Sequence, residues 1–308
     1  MSAEDAFTFL PLGAIIQEFK VAGYNITIGR IANRVSNAKF DLSGKTHQLP
    51  VNNGPNSLHG GNAGWGKREF EGPLQVERNG KQATLFKYLS ADGEEGYPGA
   101  VQVSVWYVQG KEDGKEVLNI EYEAELVDDN VSETAISMTN HSYFILSNSP
   151  TIAGTEVTLV TNKYQVVDDG GIPKGPIEEY PGVKANTAFT LGETDPDIDD
   201  CFIVNTDPSS VPIDTRSLPV QKVASFYHPE SKIHLEISTT EPAFQFYTGK
   251  YIDVPAVEGL PARGARSGFC VEPSRYVNAI NVPEHKSMTV LKKGEKYGSK
   301  IVYRGWQS

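Results

Sequence analysis

His141 is the residue whose surroundings first suggest chemistry. It lies in T-A-I-S-M-T-N-H-S-Y-F-I-L (134–146), a segment with the composition of a buried strand. Strand alternation puts His141 on one face with small polar residues and Tyr143, while Ile136 and Met138 point toward the core. Such a face is typical of the floor of a cleft, where an imidazole is used for chemistry. The alternative is a histidine hydrogen-bonded inside the sheet, and this segment alone does not distinguish the two.

Glu272 is the carboxylate best placed to act as a base. In G-F-C-V-E-P-S-R-Y (268–276) it shares a strand face with Cys270, while Phe269 and Val271 face the other way. Apolar neighbours remove hydration, which raises the pKa of a glutamate from about 4.3 and makes it a better base. A salt-bridged glutamate with a structural role is the alternative interpretation.

Further polar side chains stand in strand-like or glycine-rich segments where a plain core would not need them. Gln245 lies between two phenylalanines in T-T-E-P-A-F-Q-F-Y-T-G (239–249) and faces away from both. Its amide therefore either pairs across strands or binds a ligand hydroxyl. Asp199 ends an acidic loop, a position that is also typical of a solvated acid. The others lie in G-R-I-A-N-R-V-S-N-A-K-F and N-N-G-P-N-S-L-H-G-G, and they are Asn33, Arg34 and His59.

The elements that must position these residues are β-strands. V-L-N-I-E-Y-E-A-E-L-V (117–127) alternates strictly between apolar and polar residues, as a half-buried antiparallel strand does. Turn-forming loops separate other segments with similar alternation, namely 101–108, 155–160, 233–238 and 244–247. No linker-like block interrupts the chain. The pattern predicts an all-β protein, a large antiparallel β-sandwich or barrel, with one domain over residues 1–308.

Charge and composition exclude several classes of function. The 308 residues carry a formal net charge of −11, which disfavours nucleic acid and anionic membrane as partners because both attract basic surfaces. The N-terminal stretch has Glu4 and Asp5 where an export signal would carry basic charge, and Pro11 and Gly13 interrupt its apolar run. Two cysteines without a CxxC pair predict reduced thiols and a cytoplasmic location.

Motif-like patterns in the sequence do not indicate a cofactor or a metal. G-N-A-G-W-G-K (61–67) matches the start of a phosphate-binding loop, but Arg68 replaces its serine or threonine and no helix pattern follows. D-P-D-I-D-D (195–200) lacks the glycine and the closing acid of a calcium loop. The histidines show no HExxH motif and no i, i+4 pair for zinc. We therefore expect neither a cofactor nor a bound metal.

Several segments taken together resemble the aldose 1-epimerase (galactose mutarotase) family. They occur in the family's order over nearly the whole chain, and they are G-R-I-A-N-R-V-S-N-A-K-F, N-N-G-P-N-S-L-H-G-G, M-T-N-H-S-Y-F-I-L, D-I-D-D-C-F-I-V, T-T-E-P-A-F-Q-F-Y-T-G and F-C-V-E-P-S-R-Y-V-N-A-I-N. The resemblance implies the family's large antiparallel β-sandwich. It also implies an isomerase that interconverts the α and β anomers of a free hexose, such as glucose or galactose, by ring opening. The substrate would be a monosaccharide, and no cofactor would be needed.

The resemblance also assigns roles to individual residues. The family's catalytic acid corresponds to His141 and its catalytic base to Glu272. Its sugar-binding residues correspond to Asn33, Arg34, His59, Asp199 and Gln245. For His141 to act as the acid near neutral pH, its imidazole must be protonated, which requires a pKa above about 6.5. We expect a nearby carboxylate to raise the pKa of the imidazole to this range. Trp65 or another aromatic residue is a candidate to stack on the apolar face of the sugar, with core packing as the alternative.

The chain departs from the family pattern in one place, and two alternative functions are considered. Relatives carry a further segment before G-R-I-A-N-R, so we predict a deletion near residues 23–27, beside Asn33 and Arg34. A hexose-6-phosphate mutarotase on the same fold is the nearest alternative, with Arg30 and Lys250 as candidate phosphate-binding residues. A non-catalytic sugar-binding protein is the second.

Overall fold

Strands account for most of the regular structure. The computed structural model describes residues 7–10, 15–19, 26–256 and 261–308, and for the first two ranges it describes the backbone alone. The predicted deletion falls partly outside this part of the chain, because 23–25 are not among the described residues. In chain order the strands are β1 (Phe7–Leu10), β2 (Ile15–Phe19), β3 (Thr27–Ile28), β4 (Arg34–Val35), β5 (Lys39–Leu42), β6 (Lys45–Gln48), β7 (Ser57–Leu58), β8 (Glu71–Arg78), β9 (Lys81–Ser90), β10 (Val101–Glu112), β11 (Lys115–Leu126), β12 (Glu133–Ala135), β13 (Thr139–Asn140), β14 (Tyr143–Phe144), β15 (Glu156–Leu159), β16 (Lys163–Val167), β17 (Pro173–Glu179), β18 (Phe189–Thr190), β19 (Asp199–Ile203), β20 (Gln221–His228), β21 (Ile233–Thr239), β22 (Ala243–Tyr247), β23 (Phe269–Ser274), β24 (Val290–Lys292) and β25 (Lys296–Gln307).

Within the part of the chain that the structure describes, helical structure consists of short 3₁₀ turns. Those in the described ranges are Ser36–Ala38, Trp65–Lys67, Glu94–Gly96, Pro208–Ser210, Ala279–Asn281 and Lys286–Met288. Among the same residues, no helix is both long and apolar enough to pass through a lipid bilayer.

Two antiparallel sheets pack against each other around a shared core. The larger has nine strands in the order β18-β15-β20-β21-β25-β11-β10-β9-β8, and the smaller has six in the order β14-β23-β22-β19-β16-β17. One hydrophobic cluster takes Ile120 and Tyr303 from the larger sheet and Phe244 and Phe269 from the smaller. The predicted all-β sandwich is therefore confirmed.

The alternation in β11 shows why the strands form where the sequence predicts them. Its apolar residues face the shared core and are 5% exposed or less, and they are Leu118, Ile120, Tyr122, Ala124 and Leu126. Burying each large side chain contributes about 1.5–3 kcal/mol. The intervening glutamates form ion pairs on the outer face, for example Glu121 with Arg78 at 3.0 Å. A slip by one residue would exchange the two faces, so burial fixes the register.

The expected single strand through 134–146 is wrong, because this segment changes partner twice. It forms three short strands that pair with different parts of the chain: β12 with β24, β13 with β3, and β14 with β23. Backbone contacts bridge the breaks, such as the bond from the N–H of Ser137 to the carbonyl of Arg30 at 2.8 Å. Ile136 and Met138 are nevertheless buried in the core, as alternation predicted. His141 lies at the break between β13 and β14.

Candidate active site

One wall of the candidate site is a row of polar side chains across three neighbouring strands. Glu272 on β23 lies opposite Gln245 on β22, and Gln245 lies opposite Cys201 on β19. Asp199 stands at the start of β19, opposite Tyr247. Because residues alternate between faces, the phenylalanines on either side of Gln245 enter the core while the amide faces the cleft.

The other wall comes from two short strands that precede the main sheets. Arg34 on β4 pairs with Leu58 on β7, so the residues just before and after this pair, Asn33 and His59, come together. The N–H of His59 donates to the carbonyl of Asn33 at 3.0 Å, and both residues have left-handed backbone conformations, with φ of 51° and 58°. These turns direct both side chains toward the cleft.

The seven residues that the family resemblance assigned to catalysis or sugar binding all line one cleft of about 820 Å³. They are Asn33, Arg34, His59, His141, Asp199, Gln245 and Glu272. Tyr143, Tyr247 and Tyr251 add aromatic surface to the same cleft. Residues that are up to about 240 positions apart in the sequence therefore share one solvent-accessible space.

His141 and Glu272 are in direct contact at the base of this cleft. Nε2 of His141 lies 3.3 Å from Oε1 of Glu272, and the two side chains are 11% and 4% exposed. On the other side of the imidazole, Nδ1 lies 3.3 Å from Sγ of Cys270. A proton can therefore pass between the two groups without an intervening water molecule.

Burial raises the pKa of the Glu272 carboxyl to about 8. The nearby Asp199 raises it further, whereas Arg34 opposes the shift. Since a carboxyl with this pKa is protonated at neutral pH, Glu272 holds a proton that an exposed glutamate would release. The sequence-based expectation of a desolvated, basic glutamate agrees with this direction.

The expectation that the imidazole of His141 is protonated near neutral pH is wrong. Burial lowers the pKa of its imidazole to about 4, although a carboxyl group is within contact distance. The expected electrostatic support is missing because the partner is itself neutral: desolvation keeps the proton on Glu272, which then presents no negative charge to the ring. The pair thus holds one proton near neutral pH, with the imidazole neutral.

His59 is a hydrogen-bond donor to the cleft. Its Nδ1 accepts the backbone N–H of Asn33 at 3.2 Å, so a neutral ring carries its proton on Nε2. Burial keeps the ring neutral by lowering its pKa well below 6.5, and the nearby His141 and Arg34 lower it further. His59, His141 and Glu272 have potential metal-ligand atoms within 4.8 Å of one another. The proton on Nε2 of His59, however, occupies the position that a metal would need.

The side chains of Gln245 and Asp199 are joined by a hydrogen bond at the cleft. Nε2 of Gln245 donates to Oδ1 of Asp199 at 2.8 Å, which fixes the orientation of the amide. Oε1 of Gln245 is buried and has no hydrogen-bond partner among the described residues. A buried acceptor without a partner costs about 1–3 kcal/mol, so a hydroxyl donated by a ligand would stabilise it.

Sequence reasoning missed Asn53 and Gly171, which hold Arg34 in place together with the predicted Asn33. Nε of Arg34 donates to Oδ1 of Asn53 at 3.0 Å, and Nη1 lies 3.4 Å from Oδ1 of Asn33. The turn between β16 and β17 packs against the guanidinium, where a Cβ added to Gly171 would lie 2.8 Å from Cζ. The sequence shows this turn only as D-D-G-G. Tyr247, in contrast, could have been found, because it alternates with Gln245 on the same strand face.

Other candidates lie outside the cleft. Trp65 is 1% exposed and belongs to the hydrophobic core. Of the two roles considered for it, the structure therefore supports core packing and not stacking on a sugar. Arg30 is also 1% exposed, and its guanidinium donates to Ser90 and to backbone carbonyls. Nζ of Lys250 pairs with Asp197 at 2.6 Å. Neither cation lines the cleft, whose lining includes one arginine, Arg34, among the described residues.

Comparisons with known proteins agree on one family. A family model described as aldose 1-epimerase matches residues 7–304. The chain is 38% identical over 286 residues to a bifunctional GAL10 protein of Pachysolen tannophilus, covering 91% of this chain and 40% of that protein. It is 36% identical over 281 residues to the galactose mutarotase of Sus scrofa, covering 89% of this chain and 76% of that protein. A crystal structure of a GalM/aldose epimerase homologue from C. elegans superposes with a TM-score of 0.80 at 25% identity, covering 98% and 95% of the two chains. The chain spans about two fifths of the length of the bifunctional relatives that it matches.

Proposed function

The chain belongs to the aldose 1-epimerase family, and on that basis we propose that it interconverts the α and β anomers of a free, uncharged hexose such as glucose or galactose. The observation that carries this proposal is the contact of 3.3 Å between Nε2 of His141 and Oε1 of Glu272 in the cleft. Ring opening needs one group to remove a proton and a neighbouring group to supply one. This pair can do both.

The proposed reaction begins with transfer of the shared proton from Glu272 to His141. The resulting carboxylate accepts the proton of the C1 hydroxyl, while the imidazolium protonates the ring oxygen. The bond between C1 and the ring oxygen breaks, and an aldehyde forms. Rotation about the C1–C2 bond followed by the reverse steps closes the ring in the other configuration and returns each proton. Each positioned acid or base contributes about 10²- to 10⁴-fold.

The surrounding residues are proposed to bind and orient the sugar. Arg34 stabilises the carboxylate form of Glu272, since its charge lowers the pKa of that group. Nε2–H of His59 donates to a sugar oxygen, and Oε1 of Gln245 accepts a hydroxyl. Asn33 and Asp199 complete the set of hydroxyl ligands. A sugar that lacks the matching hydroxyl leaves a buried polar group without a partner. This energetic cost gives selectivity among sugars.

The alternative functions have less support. A hexose-6-phosphate mutarotase would need cations beside the phosphate, and Arg30 and Lys250 are both engaged elsewhere. A non-catalytic sugar-binding protein would not need an acid and a base in contact.

We also propose that residues 1–308 form a single domain, since both sheets share one core. The buried free thiols of Cys201 and Cys270 support a cytoplasmic location.

Polarimetry tests the proposal directly. Freshly dissolved α-D-glucose and α-D-galactose should approach their equilibrium rotation at a rate that rises linearly with protein concentration and with an unchanged final value. Replacement of Glu272 by glutamine keeps the side-chain volume but removes the base, so Glu272→Gln should lower kcat by about 10²-fold or more. Equal rates with and without the wild-type protein would disprove the proposed activity on these sugars. Near-normal turnover in Glu272→Gln would remove Glu272 from the role of base.

A further inference from the structure

Cys270 contacts both members of the acid/base pair. Its Sγ lies 3.3 Å from Nδ1 of His141, on the side of the ring away from Glu272. The thiol also forms a hydrogen bond with Glu272, which lies two residues along β23 on the same strand face. Cys270 is fully buried, so solvent does not compete for these contacts.

The hydrogen-bonding capacity of a thiol limits how these contacts can be arranged. A thiol has one proton to donate and a sulfur that accepts weakly. Burial raises the pKa of Cys270 well above 9, so the sulfur keeps its proton. When that proton is donated to Glu272, the sulfur is left as an acceptor for His141. The ring nitrogen facing it, Nδ1, must then carry the hydrogen.

We propose that Cys270 is a positioning residue that fixes His141 as the Nδ1–H tautomer. The lone pair of Nε2 then faces Oε1 of Glu272 and can receive its proton. This inference rests on the proposed function only in treating His141 and Glu272 as the acid/base pair.

The neighbouring histidine shows the opposite arrangement. Nδ1 of His59 accepts the N–H of Asn33, which places the proton of His59 on Nε2. The two rings lie 5.3 Å apart with their planes at 83°. His141 thus presents a proton acceptor to the cleft and His59 presents a donor. If His141 adopted the tautomer of His59, its Nε2 would already hold a hydrogen and could not take the proton of Glu272.

Nitrogen NMR on protein labelled with ¹⁵N-histidine tests the tautomer without relying on turnover. Long-range ¹H–¹⁵N correlations distinguish the two tautomers, and His141→Gln assigns the signals. The wild-type protein should show Nδ1–H at His141 and Nε2–H at His59. Cys270→Ala should shift His141 toward Nε2–H, and Cys270→Ser, which keeps a donor and an acceptor, should retain Nδ1–H. Cys201→Ala is the matched control for removal of a buried thiol and should leave the tautomer of His141 unchanged.

Kinetics supply the second readout. Cys270→Ala should lower kcat about tenfold to a hundredfold, the range found when a metal-bound histidine loses the partner that orients it, with KM changed less than about twofold. Cys270→Ser should recover most of this loss. An Nε2–H tautomer at His141 in the wild-type protein would overturn the inference, and so would a Cys270→Ala variant with unchanged tautomer and kcat. The predicted tautomers in a protein without mutarotase activity would support the assignment while overturning the proposed function.

Discussion

His141 and Glu272 hold a proton between them in a way that neither side chain would in water. Desolvation moves their pKa values in opposite directions, to about 4 for the imidazole and about 8 for the carboxyl. One proton therefore resides on the pair over the interval between those values, and the pair titrates as a unit. Both the donor and the acceptor that ring opening needs are present throughout that interval.

This residue-scale picture predicts the pH dependence of catalysis. Below about pH 4 the pair gains a second proton and has no base, and above about pH 8 it loses its only proton and has no acid. A plot of kcat/KM against pH should therefore be bell-shaped with limbs near these values, because this parameter reports the free enzyme. The rate of the spontaneous reaction must be subtracted at each pH. A basic limb close to 6.5, the pKa of an ordinary histidine, would contradict the shared-proton arrangement.

At the scale of elements, the turn between β16 and β17 supports the wall of the cleft that carries Arg34. Gly171 has φ of +73° and lies against the guanidinium of Arg34, which Asn53 holds from another side. The carbonyl of Gly170 also accepts a hydrogen bond from Asn56 at 3.2 Å. A hairpin from the six-stranded sheet thus fixes the position of an arginine that comes from β4.

We predict that Gly171→Ala raises KM several-fold by displacing Arg34, whose Cζ would lie 2.8 Å from the new Cβ. Gly175→Ala in the same hairpin is the matched control, because it has a similar φ of +76° and no atom within 4 Å of its added Cβ. Both substitutions carry the backbone strain of a left-handed alanine, on the order of 1 kcal/mol. Steady-state kinetics and thermal melts of both variants separate the two effects. Equal changes in KM would show that strain, and not Arg34, is responsible.

Elements also show how far sequence reasoning reaches. Alternation located β10 and β11 and oriented Gln245 and Glu272, because each strand is long enough for its pattern to express burial on one face. It failed at 134–146, where three short strands take their partners from distant parts of the chain, and nothing local encodes that exchange. Cys270 was visible beside Glu272, but its contact with His141 depends on the pairing of β14 with β23.

The protonation states were predictable only in part for the same reason. The apolar neighbours of Glu272 are next to it in the sequence and foretold a raised pKa. The low pKa of His141 depends on burial by distant segments and on the neutrality of its partner, which only the assembled cleft determines. Family resemblance supplied the identities of the cleft residues, whereas their hydrogen bonds came from the structure.

At the scale of the whole molecule, the protein has a net charge of −11, and the lining of the cleft is also rich in acidic residues. Asp168, Asp169 and Asp199 line it, with Arg34 as the cation in the described lining. An anionic sugar would approach an acidic protein and enter an acidic site, and both steps are unfavourable. The charge distribution therefore favours uncharged sugars.

We predict that hexose 6-phosphates have a kcat/KM about 100-fold or more below that of the free hexose. Repulsion on the order of 3 kcal/mol between the phosphate and the cleft acids accounts for this factor, and added salt should reduce it. A 6-O-methyl hexose is the control for size, since it enlarges the same position without charge. A phosphorylated sugar that reacts as well as the free sugar would contradict this prediction, and an equally slow methyl ether would assign the effect to size.

The burial of Glu272 also reaches beyond catalysis, to the conformational stability of the protein. Its pKa is about 8 in the folded protein against 4.5 for the reference carboxyl, so between these values the unfolded chain releases a proton that the folded one retains. This group thus makes no contribution below pH 4.5, lowers the free energy of unfolding as pH rises toward 8, and gives a constant penalty above it, on the order of 3–5 kcal/mol. Glutamine at position 272 carries no such penalty, so the variant that loses activity should melt at a higher temperature than the wild type in mildly alkaline buffer.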